Sequence, residues 1–118
     1  MNKRTFALTL ALLAISLAAF AAEVKPPVTQ VESKKVCMIN EHYMQKDQIA
    51  VEVEGKTYYG CCDMCKKALA SDASKRSAVD PVSGRKVDKA TAVIAADAEG
   101  NVVYFENAKN LEAFNARK

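Results

Sequence analysis

The chain has 118 residues, and its 17 lysines and arginines nearly balance its 14 aspartates and glutamates. This length allows one domain or two very small ones, and the charge balance gives no basic surface for nucleic acid. Four cysteines, four phenylalanines and no tryptophan leave a thin core. We therefore expect a disulfide or a bound metal to support the fold.

Residues 1–21 have the features of a secretory signal peptide. Two basic residues precede an apolar run over 6–20, and small residues at 19 and 21 suit a cleavage site. The run is shorter than the roughly 20 residues of a membrane span. We expect a cleaved signal, no stable membrane insertion afterwards, and a secreted protein that is periplasmic if the source is bacterial. Cleavage would leave 15 basic residues against 14 acidic ones.

A polar segment over 22–35 follows the predicted signal. It contains two prolines and shows neither a helical nor a strand period. Such a composition is typical of a flexible leader without regular structure.

The first folded unit is expected to span 36–71. Alternating residues over 49–53 and 56–59, with Gly55 between them, predict a β-hairpin. Helix-forming residues then predict a helix over 62–71.

The second folded unit is expected to span 78–116 and to repeat this order. Apolar runs over 92–96 and 102–105 predict a second hairpin, and Asn107 is a suitable N-cap for a helix that includes Phe114. The predicted fold is thus α+β, with two small ββα units packed as one compact body.

The two units align at an offset of 45, which places Gly55 on Gly100. With a one-residue slip upstream, other residues occupy the cysteine positions of the first unit: Ser83 for Cys37, Glu106 for Cys61 and Asn110 for Cys65. If the repeat is real, the ββα shape does not depend on the thiols. The cysteines of the first unit are therefore expected to serve function.

The cysteine spacing indicates a metal site. Cys61 and Cys65 lie four residues apart where a strand gives way to a helix, so both thiols face one side of the first turn. The hairpin could bring Cys37 alongside them. Thiolates from a loop and a helix start are a common site for a soft cation. Cys62 and Cys65 form a second possible chelating pair, but adjacent cysteines diverge, so only one of Cys61 and Cys62 is expected to be a first-choice ligand. Cys61 is preferred because the repeat places it at the strand end, and Cys62 is a fourth or exchange ligand.

Other interpretations of the four thiols remain open at this point. An even number of cysteines in an exported protein is compatible with disulfides, with a structural zinc ion, or with thiol–disulfide exchange. Four further soft or borderline donors lie near the cysteines, namely Met38, His42, Met44 and Met64. The thiolate-rich donor set favours Cu(I), and Zn(II) is the alternative. No paired acids or histidines suggest acid–base catalysis, so an enzyme is not expected.

The stretch "VCMINEH…VEVEGKTYYGCCDMCKKAL" resembles the TRASH family of YHS-like metal-sensing and metal-trafficking modules, with one cysteine, a gap, and then C-x3-C. The stretch "DPVSGRKVDKATAVIAADAEGNVVYFENAKNLEAF" resembles the related YHS domain. Seven of its residues match that pattern, namely Asp80, Pro81, Val82, Gly84, Tyr104, Phe105 and Phe114. The three family cysteines are replaced there by Ser83, Glu106 and Asn110.

The resemblance implies a treble-clef-like unit over 36–71 in which Cys37, Cys61 and Cys65 hold the ion. It implies a degenerate second copy over 78–116 that lacks the ligands. Such modules occur attached to heavy-metal pumps, in metal-responsive regulators and as free exported proteins. The function expected from the sequence is heavy-metal binding, with Cu(I) buffering or delivery to a metal transporter or another acceptor protein.

Overall fold

The computed structural model describes residues 23–117. Over this range the chain forms short strands, two helices and two 3-10 turns in an α+β arrangement. The strands are β1 (Thr29–Gln30), β2 (Val36–Cys37), β3 (His42–Tyr43), β4 (Ile49–Val53), β5 (Lys56–Gly60), β6 (Ser77–Val79), β7 (Lys86–Asp88), β8 (Val93–Ala96) and β9 (Val102–Phe105). The helices are α1 (Asp63–Ser71) and α2 (Ala108–Asn115). Within 23–117, neither helix has the length and apolar character that crossing a bilayer requires.

Each half of the described chain consists of two antiparallel hairpins followed by a helix. In the first half, β2 pairs with β3 and β4 with β5, and α1 follows. In the second half, β6 pairs with β7 and β8 with β9, and α2 follows. The longer hairpin and the helix of each half confirm the predicted elements. The short hairpin that precedes them in each half has no counterpart in the sequence prediction.

The offset of 45 between the halves is visible in the backbone. Gly55 and Gly100 have φ values of 77° and 86° at the tips of the longer hairpins, a conformation that glycine adopts without strain. Cys62 and Asn107 occupy the N-cap positions of α1 and α2 with closely similar backbone angles, φ −155° and −159°. The Asn107 side chain accepts a hydrogen bond from the backbone N–H of Asn110, as its predicted capping role requires.

One hydrophobic core is shared by both halves, so the protein is a small, compact α+β body. It combines Val51, Tyr58 and Leu69 of the first half with Ile94 and Tyr104 of the second. A second cluster lies behind the β8–β9 sheet, where the Phe105 and Phe114 rings meet edge-on at 5.5 Å between centroids. Each half alone has few apolar residues, and packing them together removes both apolar faces from water.

The expectation of a leader without regular structure is wrong for its C-terminal part. Thr29 and Gln30 form β1, which adds a third strand to the sheet through β8. Val28 is buried, and its backbone N–H and C=O both bond the Asn115 side chain, at 2.7 and 2.9 Å. Two residues that pair through their backbone produce no hydrophobic period, so the sequence pattern could not indicate this strand. The predicted signal peptide lies outside the described residues.

Candidate metal centre

Three thiols from two separate segments meet beside the start of α1. Cys37 ends β2, Cys61 follows β5 directly, and Cys65 lies in the first turn of α1. The backbone N–H of Met38 donates to the carbonyl of Tyr59 at 2.9 Å, which fixes β2 against β5 and brings Cys37 to the helix. The ligand atoms of all three cysteines lie within 4.8 Å of one another.

The separations between these sulfur atoms suit a shared ion. The Sγ of Cys65 lies 3.9 Å from that of Cys37 and 3.6 Å from that of Cys61. Bonds of about 2.3 Å in tetrahedral geometry place neighbouring sulfurs about 3.8 Å apart. The cysteine cluster, meaning Cys37, Cys61 and Cys65, could therefore hold a metal ion with little rearrangement.

A glycine makes this close approach possible. A Cβ atom added at Gly60, the last residue of β5, would lie 2.7 Å from the Cβ of Cys65. A side chain at this position would push the strand end away from α1. The absence of a side chain thus allows the C-x3-C turn to close.

The cysteine cluster lies at the edge of the core and is open on one side. Cys37 and Cys65 are buried, Cys61 is half-buried and Cys62 is exposed. The Sγ of Cys62 lies 3.5 Å from that of Cys65, but it is outside the set of three mutually close sulfurs. Cys62 is therefore placed beside the cluster on its exposed side, and all four cysteines are free thiols.

The thiols differ in how readily they lose a proton. Burial raises the pKa of Cys37, but N–H donors from Asn40 and Ile39 outweigh it and lower the pKa overall. Hydrogen bonds to the Cys37 and Cys65 thiols raise the pKa of Cys61 to about 12. Burial raises the pKa of Cys65. The cluster without metal therefore retains protons at neutral pH, and a metal ion must displace them.

The exposed thiol behaves differently. The backbone N–H of Cys65 lowers the pKa of Cys62, as expected for a thiolate at a helix N-cap. Cys62 is thus accessible, and it loses its proton more readily than the adjacent Cys61.

Of the other soft donors near the cysteines, Met38 and His42 form hydrogen bonds elsewhere, and Met64 is exposed. Met38 is fully buried, and its Sδ accepts a hydrogen bond from the backbone N–H of Tyr59 at 3.5 Å. The His42 ring bonds the carbonyl oxygen of Glu99 at 3.0 Å and packs over Gly100. Met64 is 80% exposed on the first turn of α1. Among the described residues, His42 is not part of the set whose ligand atoms lie close together.

Asn40 is a residue at the site that the sequence reasoning did not consider. Its backbone N–H donates to the Sγ of Cys37 at 3.4 Å, and its side-chain Nδ2 donates to the Sγ of Cys61 at 3.3 Å. Asparagine is not a soft metal ligand, so the spacing of cysteine, histidine and methionine does not indicate its role. The available signal is its place in the turn, because a residue three positions after a ligand cysteine can direct its N–H at the sulfur.

The second half contains a counterpart of the cysteine cluster, and it corrects the alignment of Cys37 with Ser83. Asp80 directly follows β6, and its backbone N–H donates to the carbonyl of Arg85, the residue before β7, at 2.9 Å. Four residues separate Asp80 from Arg85, as four separate Cys37 from His42 in the first short hairpin. The backbone N–H of Ser83 donates to Asp80 Oδ1 at 3.1 Å, just as that of Asn40 donates to Cys37 Sγ. The position equivalent to Cys37 is therefore Asp80. The sequence alignment paired residues of similar type, whereas the strand pairing within each short hairpin determines which residues occupy equivalent positions.

In the second half, Asp80 connects elements equivalent to those that the cysteine cluster brings together in the first half. It joins the short hairpin to the end of β9 and to the first turn of α2. Its Oδ2 accepts hydrogen bonds from the backbone N–H of Glu106 and the side chain of Asn110, both at 2.8 Å. Its Oδ1 also accepts from Val82 N–H at 2.7 Å. Burial raises the pKa of this fully buried carboxyl, but the four hydrogen bonds outweigh burial and lower the pKa below its usual value. In the second half, the Asp80 carboxylate thus makes the connection that a metal ion could make between the cysteines of the first half.

Comparison with known proteins gives no relative: no family model, no curated protein and no solved structure matches the chain. The geometry of the cysteine cluster is therefore the main indication of what the protein does.

Proposed function

We propose that this protein is an exported heavy-metal-binding protein that buffers Cu(I) or passes it to an acceptor, and that it is not an enzyme. The observation that carries the proposal is the convergence of three sulfurs from two chain segments within 4.8 Å. Thiolate donors favour soft ions, so Cu(I) is the first candidate and Zn(II) the second.

We also propose that the chain belongs to the TRASH/YHS-like group. The order of elements supports it, because a short hairpin carries one ligand and a second hairpin and helix carry the C-x3-C pair. We propose on this basis that the first half is the treble-clef-like unit that the resemblance implies. Secretion, and the periplasm as the compartment in a bacterium, rest on the predicted signal over residues 1–21.

Transfer to a metal transporter or another acceptor protein would proceed by ligand exchange at the open side of the site. Three thiolates hold the ion there, and Cys62 is exposed 3.5 Å from the Sγ of Cys65. An incoming thiolate could replace a cluster ligand while Cys62 keeps the ion bound. A closed four-ligand site would exchange more slowly and would suit a structural ion.

The test of metal binding is a titration of the anaerobically reduced protein with Cu(I) and with Zn(II). The unaltered protein is expected to bind one ion tightly, and a Cys61→Ser/Cys65→Ser double variant should lose at least a hundredfold in affinity because two of three sulfurs are removed. Cys62→Ser is the matched control, expected to keep the stoichiometry and to slow transfer to a chelator. Equal metal uptake by the unaltered and double-variant proteins would refute the proposal.

A structural zinc ion is a second candidate, and the Asp80 counterpart favours it specifically. In the second half, the three equivalent elements are held together by hydrogen bonds to the Asp80 carboxylate. An ion in the first half could have the same role. Chelation separates the two functions, since removal of a structural ion should unfold the first half and removal of a transferable ion should leave the circular dichroism spectrum unchanged.

A further inference from the structure

The turn that follows the first ligand carries Asn40 between two thiols. We call residues 38–41 the ligand turn. Asn40 directs its backbone N–H at the Sγ of Cys37 and its side-chain Nδ2 at the Sγ of Cys61. One residue therefore donates hydrogen bonds to sulfurs of both segments that form the cysteine cluster.

The second half of the protein holds the ligand turn in place. Lys89 is 4% exposed, and its ammonium group donates to the carbonyl oxygen of Met38 at 2.7 Å. It also pairs with the carboxylate of Glu41 and lies 5.3 Å from the centre of the Tyr104 ring. Both ends of the ligand turn are thus bound to one buried cation, so the donors of Asn40 are fixed relative to the sulfurs.

We infer that Asn40 is a positioning residue that makes the cysteine cluster prefer a monovalent ion over a divalent one; this inference rests on the proposed metal-binding function. Three thiolates around a monovalent ion leave two net negative charges, whereas a divalent ion leaves one. An N–H group directed at sulfur stabilises negative charge on it. The stabilisation is larger for the more negative complex, so Asn40 favours Cu(I).

Two variants of Asn40 separate this effect from folding, because the side chain is exposed and its loss leaves the core intact. Asn40→Asp keeps the shape and places a carboxylate against Cys61, and Asn40→Ala only removes the donor. Both keep the backbone N–H that bonds Cys37. The two metal complexes form from the same apo protein and differ by one unit charge. Asn40→Asp should therefore lower Cu(I) affinity about tenfold more than Zn(II) affinity, and Asn40→Ala about threefold more.

A spectroscopic readout distinguishes tuning of the sulfur from a merely structural role. In the Co(II)-substituted protein, loss of the N–H donor raises electron density on sulfur. The sulfur-to-cobalt charge-transfer band of Asn40→Ala should therefore move to lower energy. Gln45→Glu, an exposed amide-to-acid change in the loop after β3, is the matched control for added charge and should change neither the band nor the affinity ratio.

Each outcome decides a separate question. A lowered Cu(I)-to-Zn(II) affinity ratio with a shifted band supports the role of Asn40. Equal losses for the two ions, or an unchanged ratio and band, overturn it while leaving metal binding intact. If the unaltered protein binds neither ion, the proposed function itself fails, and the Asn40 inference fails with it.

Discussion

Replacing Asp80 by asparagine changes one buried group without changing its shape. The carboxylate accepts four hydrogen bonds, two at each oxygen. In the Asp80→Asn variant one of these atoms becomes an NH2 group, so two of the N–H donors face another donor. The charge that strengthened the two remaining bonds is also lost.

The size of the effect follows from those contacts. A hydrogen bond to a charged group contributes roughly 1.5–3 kcal/mol, and a buried donor without a partner carries its full desolvation cost. Losing two such bonds should lower the free energy of unfolding by about 3–6 kcal/mol. A domain of this size has a total of roughly 5–14 kcal/mol. At about 4–8 °C per kcal/mol, the Tm should fall by at least about 12 °C.

Thermal unfolding followed by circular dichroism measures this fall on reduced protein without added metal. Asp47→Asn is the matched control, because it makes the same chemical change at an exposed carboxylate and should shift the Tm by less than about 2 °C. A fall of under about 3 °C for Asp80→Asn would refute the idea that Asp80 holds the second half together.

The pH dependence gives a second check. The folded pKa of Asp80 is lowered below the unfolded value of about 3.9. Its contribution is therefore fully present above about pH 5 and is lost as the pH falls through the folded pKa. The stability difference between the unaltered protein and Asp80→Asn should be constant from about pH 5 to 8 and narrow below about pH 4. A difference that stays constant down to about pH 2 would contradict the assignment.

Three further predictions concern the site and the repeat. Gly60→Ala should lower metal affinity at least about tenfold, because the new Cβ would lie 2.7 Å from that of Cys65; a competition titration that finds unchanged affinity would contradict this. Gly100→Ala should lower the free energy of unfolding by about 1–3 kcal/mol, measured by urea unfolding. The residue has φ 86°, and an added Cβ would lie 2.7 Å from the His42 ring. If the contact with the ring contributes, the additional change His42→Ala should recover part of the lost stability. Metal affinity should fall as the pH is lowered from 8 to 6, because the raised pKa of Cys61 means that binding releases a proton; pH-independent affinity would show that the thiol does not bind the ion.

The sequence alone determined those parts of the structure that depend on residues close together in the chain. The two longer hairpins follow from alternating side chains with a glycine at the tip, and α2 begins where Asn107 provides its N-cap. The C-x3-C pair is equally local, because only three residues separate Cys61, which directly follows β5, from Cys65 in the first turn of α1. The structure accordingly places Cys61 and Cys65 together with 3.6 Å between their sulfurs.

Contacts between distant segments were decided only by the tertiary structure. Cys37 reaches the helix because Met38 bonds the backbone of β5. Asn40 faces two sulfurs because a lysine from the other half holds its turn. Asp80, rather than Ser83, replaces Cys37 because strand pairing sets the match between the halves. Backbone hydrogen bonds between segments carry no residue-type signature. The cysteine pattern could therefore suggest that Cys37 joins Cys61 and Cys65, as the structure shows, but no pattern indicated the contacts of Asn40 and Asp80.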